Sequence, residues 1–296
     1  MKAVNILLIF TILAMGISCQ QKTQKEEEQT SEIKDEGRAD FRKVMPNFPS
    51  AAEFSAIIQS TGADFNPDIL TDPSVADHYT STKEKSAAML GMYMYDLGYC
   101  VAFRKPDYTE KYYNAALSLA QFLGAEKGFL EMLMERYEEN INANDSVKAY
   151  FKEAYQHAVQ TFGTSEQERE YLRTIFLAGF YIEGLNNMLQ VINTYPRDIL
   201  DNEQAVLILM PIIKAVLRQK DNIYNLSRML DEKVFELDND VEYQNAFSQL
   251  NETYLKLNVD QLIEENRLQE ILNNETLQAL ITRVDEIRDK ILKVQA

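Results

Sequence analysis

Two acidic side chains stand in helix-forming sequence that offers them little but apolar company. Asp96 lies within Leu90-Gly91-Met92-Tyr93-Met94-Tyr95-Asp96-Leu97-Gly98-Tyr99, and Glu183 within Phe176-Leu177-Ala178-Gly179-Phe180-Tyr181-Ile182-Glu183-Gly184-Leu185-Asn186-Asn187. Neither stretch contains a Lys or an Arg. A carboxylate buried in such surroundings must be hydrogen-bonded or paired, or its pKa must rise. Two of them in one dry interhelical pocket could bind a cation or a polar ligand, or perform acid–base chemistry. The same residues could instead bond Tyr hydroxyls and backbone N–H groups and so fix helix register, and this structural reading carries more weight. Tyr93, Tyr99 and Asn187 complete the set that would form the pocket or the buried polar network.

Other chemistry is poorly supplied. The two histidines, His78 and His157, stand at no metal-binding spacing, so no metal ligands and no cofactor are assigned. There is no phosphate-cradling glycine loop and no Gly-x-Ser-x-Gly elbow. Cys100 has no neighbouring cation to activate it and reads as a small buried residue. No catalytic residue is assigned. Met89, Met92, Met94, Met132 and Met134 read as core filler, with a carrier of an apolar ligand between helices as the lesser alternative.

The elements that must position the two acids are helices. The 296 residues include only 10 Gly and 7 Pro, too few for many short strands joined by turns. Ser50-x-x-Glu53, Ser81-x-x-Glu84 and Ser165-x-x-Glu168 have the form of capping boxes. They predict a short helix ending at Gly62, a helix from Ser81 to about Arg104, and a long one reaching Tyr195-Pro196. Residues 63–80, with Asn66-Pro67 and Asp72-Pro73, form a loop lying over the body. Asp107 opens a further helix to Gly124, and others cover about 125–140 and Asn144 to Gly163. The last 112 residues contain no Gly, and Leu250, Tyr254, Leu257, Leu262, Ile271, Leu272, Leu277, Ile281, Val284, Ile287 and Ile291 recur at helical spacing. Pro211 falls inside the apolar run Val206 to Leu217 and should kink a helix rather than end it. The expected fold is all-α, one bundle of about nine or ten helices over residues 44–296, with a weak sub-boundary near Pro196.

Within the Asp96 helix, Ala87, Gly91, Gly98 and Ala102 share a face, and Gly179 and Gly184 flank Glu183. Each glycine costs a helix about 1 kcal/mol relative to Ala. Close approach of a second backbone would compensate, so Gly91, Gly98, Gly179 and Gly184 mark a tight helix–helix contact.

The N-terminus carries an address. Lys2 precedes the apolar run Ile6 to Met15, too short to span a bilayer comfortably, and Gly16-Ile17-Ser18-Cys19 follows. This resembles a bacterial lipoprotein box, which implies a signal peptide over 1–18 and acylation of Cys19. From residue 19 to residue 43 the sizeable apolar side chains are Ile33 and Phe41, which suits a flexible tether. Its Glu26-Glu27-Glu28 run resembles surface-export signals of Bacteroidetes lipoproteins.

Gly91, Tyr93, Asp96-Leu97 and Tyr99, with Gly179, Ile182-Glu183, Gly184 and Leu185, resemble the paired motifs of a family of helical Bacteroidetes lipoproteins with no established activity. Tyr181 stands where that family usually has Trp. The resemblance implies a lipid-anchored protein of the cell envelope, attached to the outer membrane, and supplies no catalytic residue. The expected role is binding or scaffolding, with an enzyme or cation-binding protein using Asp96 and Glu183 as the alternative. The expected partners are the membrane, through the lipid only, and an envelope protein.

Charge separates tether from body. The chain carries 46 acidic and 30 basic side chains, a net −16, which disfavours nucleic acid as a partner. Residues 19–43 hold six basic and seven acidic groups, so the tether is nearly neutral. The acidity is a solvated coat on the helical body, expected to keep it off an anionic membrane.

Overall fold

The computed structural model describes residues 51–124, 165–196, 200–237 and 242–293. They belong to one compact unit, Asp40–Ala296. The proposed signal peptide, Cys19 and the tether lie outside the described residues. So do the helices expected over 125–140 and 144–163, together with His157, Met132 and Met134.

The fold is all-α. Among the described residues there are nine α-helices and no strand. In chain order they are α1 (Ala51–Ser60), α2 (Lys83–Ala102), α3 (Pro106–Phe122), α4 (Glu166–Thr194), α5 (Asn202–Leu217), α6 (Lys220–Leu237), α7 (Glu242–Leu255), α8 (Val259–Glu264) and α9 (Glu275–Leu292). Three 3-10 segments, Pro67–Ile69, Pro73–Tyr79 and Leu268–Asn273, occupy connections.

Helix starts follow side-chain chemistry. Ser165 accepts from the Glu168 amide and begins α4, as the capping-box spacing predicts. For α2 the cap is Thr82 rather than Ser81: the Thr82 hydroxyl accepts from the Lys85 amide, one residue later than expected. Helix α3 begins with Pro106 in its first turn rather than at Asp107, and its cap residue Lys105 makes no side-chain capping bond. Proline suits that place because its missing N–H would be unpaired there anyway. Between α2 and α3, Arg104 takes φ 55° and turns the chain within a few residues. Helix α5 runs through Pro211 without interruption.

The architecture is organised around α4, which packs against α2 most extensively and also against α9, α6 and α5. Its 29 residues include a stretch long and apolar enough to cross a membrane, but 89% of that stretch is buried inside the body, so core packing accounts for the apolarity. Helix α2 is buried without a break from Ser86 to Val101, because α1, α3 and α4 cover it.

Glycine permits the α2–α4 contact. A Cβ on Gly91 would run into the Phe176 carbonyl and the Phe180 amide of α4, and one on Gly179 would collide with the Ala88 carbonyl of α2. The obstacles are backbone atoms of two packed helices, which cannot yield as a side-chain tip can. Gly98 and Gly184 are buried in the same two helices.

The crossing makes a prediction with a definite sign. In an open helix Gly→Ala is stabilising by about 1 kcal/mol. At Gly91 or Gly179 it should instead destabilise by about 2 kcal/mol or more, lowering the thermal midpoint by about 4 °C or more. Thermal and urea unfolding of Gly91→Ala and Gly179→Ala check this.

Candidate functional site

The α2–α4 crossing brings Asp96 and Glu183 into one neighbourhood, and both are completely buried. They meet across Thr71, in the segment between the first two 3-10 turns. The Thr71 amide donates to Asp96 Oδ2 at 2.9 Å, and its hydroxyl donates to Glu183 Oε1 at 3.2 Å. The Thr71 carbonyl accepts from the Tyr112 hydroxyl of α3 at 2.7 Å. One threonine thus joins α2, α3 and α4.

Arg288 of α9 closes the site. Its Nε donates to Glu183 Oε2 at 2.8 Å and its Nη2 to Glu183 Oε1 at 3.1 Å, a two-pronged pair that planar guanidinium geometry favours. Nη2 also donates to the Thr71 hydroxyl at 2.9 Å, leaving that hydroxyl proton for Glu183. The Arg288 side chain is 16% exposed, so the pair lies at the rim of the core with its acidic half fully inside.

Asn187 donates to Asp96 Oδ1 at 3.4 Å from the next turn of α4. With its amide turned to satisfy both neighbours, Asn186 donates to Asp285 Oδ1 at 3.2 Å and accepts from Arg288 Nε at 3.3 Å. Gln190 donates to Asp285 as well, at 2.9 Å. A ladder of α4 amides therefore lines the α9 side of the network.

The charges do not balance: one guanidinium faces two buried carboxylates. Burial and the neighbouring Glu183 push the Asp96 carboxyl well above the ordinary carboxylate range. The Thr71 amide, Arg288 and Asn187 pull it back but do not prevail. Asp285 is raised as well, chiefly by partial burial. Arg288 is held firmly charged: burial is the largest single influence and opposes the charge, but the attraction and hydrogen bonds of Glu183 together with the charges of Asp96 and Asp289 outweigh it.

Tyr93 and Tyr99, expected beside the acids, bond elsewhere. The Tyr93 hydroxyl donates to the Asp72 carbonyl at 2.8 Å, and the Tyr99 hydroxyl accepts from the Asn66 amide at 3.2 Å. Both pin the 63–80 segment onto α2. Stacking of Phe65 on Tyr99, at 5.4 Å between ring centres, fastens its start. Burial raises the phenols, that of Tyr99 to about 12, so all remain neutral at physiological pH. Cys100 is a buried free thiol whose pKa is raised by burial, which leaves it unreactive. His78 is exposed in the second 3-10 segment.

Thr71, Tyr112, Asn186, Asp285 and Arg288 escaped the sequence reading. Arg288 had one legible signal: it adjoins the row Leu277, Leu280, Ile281, Val284, Ile287 and Ile291, whose members are all buried. Thr71 had none, being a common residue in a loop.

The assembled site resembles a sealed joint more than an open cleft. Every oxygen of the two acids has a donor, and a segment of chain and a helix cover them. A surface groove of about 410 Å³, lined by residues including Thr253, Lys256, Ala279 and Arg283, contains none of these groups. Among the described residues no cluster of three or more His, Cys, Asp or Glu could hold a metal ion. No family model, curated protein or solved structure matches the chain.

Two measurements probe the joint. Arg288→Met leaves buried acids uncompensated and should cost about 3–5 kcal/mol, whereas adding Glu183→Gln should restore part of the loss. Urea unfolding of the two single variants and the double variant reads the coupling. Asp96 also has a pH signature: because its folded pKa is raised, the folded state holds a proton that the unfolded state releases above about pH 4. Its contribution therefore makes the protein less stable as pH rises from that point toward the folded pKa. Asp96→Asn should shrink the fall in unfolding free energy between pH 5 and pH 8.

Proposed function

We propose that this chain is a lipid-anchored protein of the bacterial cell envelope whose helical body binds or scaffolds a partner rather than transforming a substrate. The support for a non-catalytic body is the Arg288–Glu183 pair. The acidic groups best suited to chemistry are already engaged, by a guanidinium of the same chain and by Thr71. General acid–base work needs a carboxyl that can reach a substrate proton, and Asp96 is wholly buried with both oxygens taken. The motif residues thereby acquire a mechanical sense: the glycines let two backbones touch, the acids lock the crossing, and the tyrosines fasten the covering segment. Recognition is left to the outer surface.

The support for the anchor is sequence chemistry: an apolar run of signal-peptide length, small residues, and Cys19 followed by polar chain. The anchor on the outer membrane and a protein partner in the envelope belong to the same proposal. One observation favours a cation-binding or acid–base role instead, namely that Asp96 and Glu183 converge on a single threonine. Arg288 already fills the charge-matching position beside them.

Production in a bacterial host that processes lipoproteins tests the anchor. Mass spectrometry should find a mature chain beginning at an acylated Cys19, and Cys19→Ala should remove the acyl mass. A mature N-terminus elsewhere, or an unmodified Cys19, overturns it. Cross-linking in intact envelopes tests the binding role: the same partner should be captured by wild type and by Asp96→Asn, because the buried acid does not form the recognition surface.

A further inference from the structure

Helix α5 presents a face at odds with the rest of the protein. From Gln204 to Lys220 the chain has three basic residues and no acidic one, within a protein of net charge −16. Gln204, Leu207, Pro211, Lys214 and Arg218 recur every three or four residues and so form one stripe along the helix. All five are exposed, Leu207 to 57%. The core is served by the opposite side, where Ala205, Val206, Leu209, Ile212, Ile213, Ala215 and Val216 are buried. Ile208, Met210 and Leu217 are half-buried at the margins of the stripe. Its first half is therefore aliphatic and its second half basic. Asp201 and Glu203 precede the stripe and Asp221 follows it. Cations at Lys214 and Arg218 suit the C-terminal end of a helix dipole, but that does not account for Leu207 and Pro211 standing in water.

We propose that this stripe is a membrane-contact face, a local exception to the expectation that the acidic body stays off an anionic membrane and meets it through the lipid only, with Leu207 and Pro211 entering the headgroup boundary of an anionic bilayer and Lys214 and Arg218 meeting lipid phosphates. From Leu207 to Arg218 the helix extends about 16 Å, lying in the plane of the surface. The broad apolar face of α5 is spent on the core, so what the stripe offers a bilayer is two aliphatic side chains for the headgroup boundary and, in line with them, cations for the phosphates. A protein docking site would more typically offer aromatic anchors and a hollow to receive them. Each Lys or Arg brought to an anionic surface strengthens binding several-fold, while the acidic remainder of the body is repelled. The bilayer would thus select one orientation. The inference rests on the lipid-anchor reading only in that the anchor would hold the body close to a membrane.

The test uses the mature chain, without residues 1–18 and carrying Cys19→Ala, so that neither the apolar run Ile6 to Met15 nor a lipid at Cys19 contributes and failure of the anchor is read separately by mass spectrometry. An environment-sensitive fluorophore is attached through Leu207→Cys, or through Glu286→Cys on the exposed side of α9 as control; Cys100 is buried. Each protein is mixed with phosphatidylcholine vesicles, with or without about one-third phosphatidylglycerol. The Leu207 probe should shift to the blue and be quenched by nitroxide lipid in the anionic vesicles, while the Glu286 probe stays in water. Lys214→Glu with Arg218→Glu should abolish the shift. The inference is overturned if the Leu207 probe stays in water, if both probes enter alike, or if the charge reversal changes nothing. A Leu207 position that stays in water on vesicles but cross-links to an envelope protein overturns it in favour of a protein partner.

Discussion

Placing two carboxylates inside a helical core is the constraint on which much of this structure depends. A buried acid without partners costs several kcal/mol, far more than any single apolar contact returns. Glu183 needs a cation and Asp96 needs donors or a proton, and each requirement recruits a different part of the chain. Arg288 draws α9 against α4. Thr71 draws the 63–80 segment down onto α2 and α4, where hydrogen bonds with Tyr93, Tyr99 and Tyr112 hold its backbone.

Close packing makes that arrangement specific. Gly91 and Gly179 let α2 and α4 approach until backbone meets backbone, and at such a distance a shift of one turn would separate Asp96 from Asn187 and both from Thr71. The apolar contacts along the crossing supply most of the burial free energy but tolerate other registers. The polar bonds do not. The network thus selects one alignment among several that hydrophobicity alone would accept, a role in which its net stability can be small.

Two kinds of surface result. The acids and most motif residues face inward and are used up in construction, which leaves the outer surface to side chains outside the motifs. The stripe on α5 stands apart on that outer surface: aliphatic and basic on an acidic body, it is the kind of asymmetry that long-range electrostatics can turn into orientation.

Much of this was legible in one dimension. Helical periodicity, capping chemistry at Ser165 and the scarcity of Gly and Pro determine an all-α chain, since these are local effects acting within a turn or two. The glycines and lone acids also betrayed a tight, polar crossing, because a residue costly to a helix needs a compensating neighbour. Cap positions were less legible: Thr82 outcompeted Ser81, adjacent residues with the same chemistry. What the tertiary structure decided was the identity of the partners. Thr71 lies 25 residues from Asp96, Arg288 lies 105 from Glu183 and 217 from Thr71. No periodicity connects residues so far apart, and a threonine in a loop or an arginine beside an apolar row looks ordinary until the chain is folded. The sequence by itself showed that Asp96 and Glu183 had to be satisfied; only three-dimensional packing determined that α9 and the 63–80 segment would satisfy them.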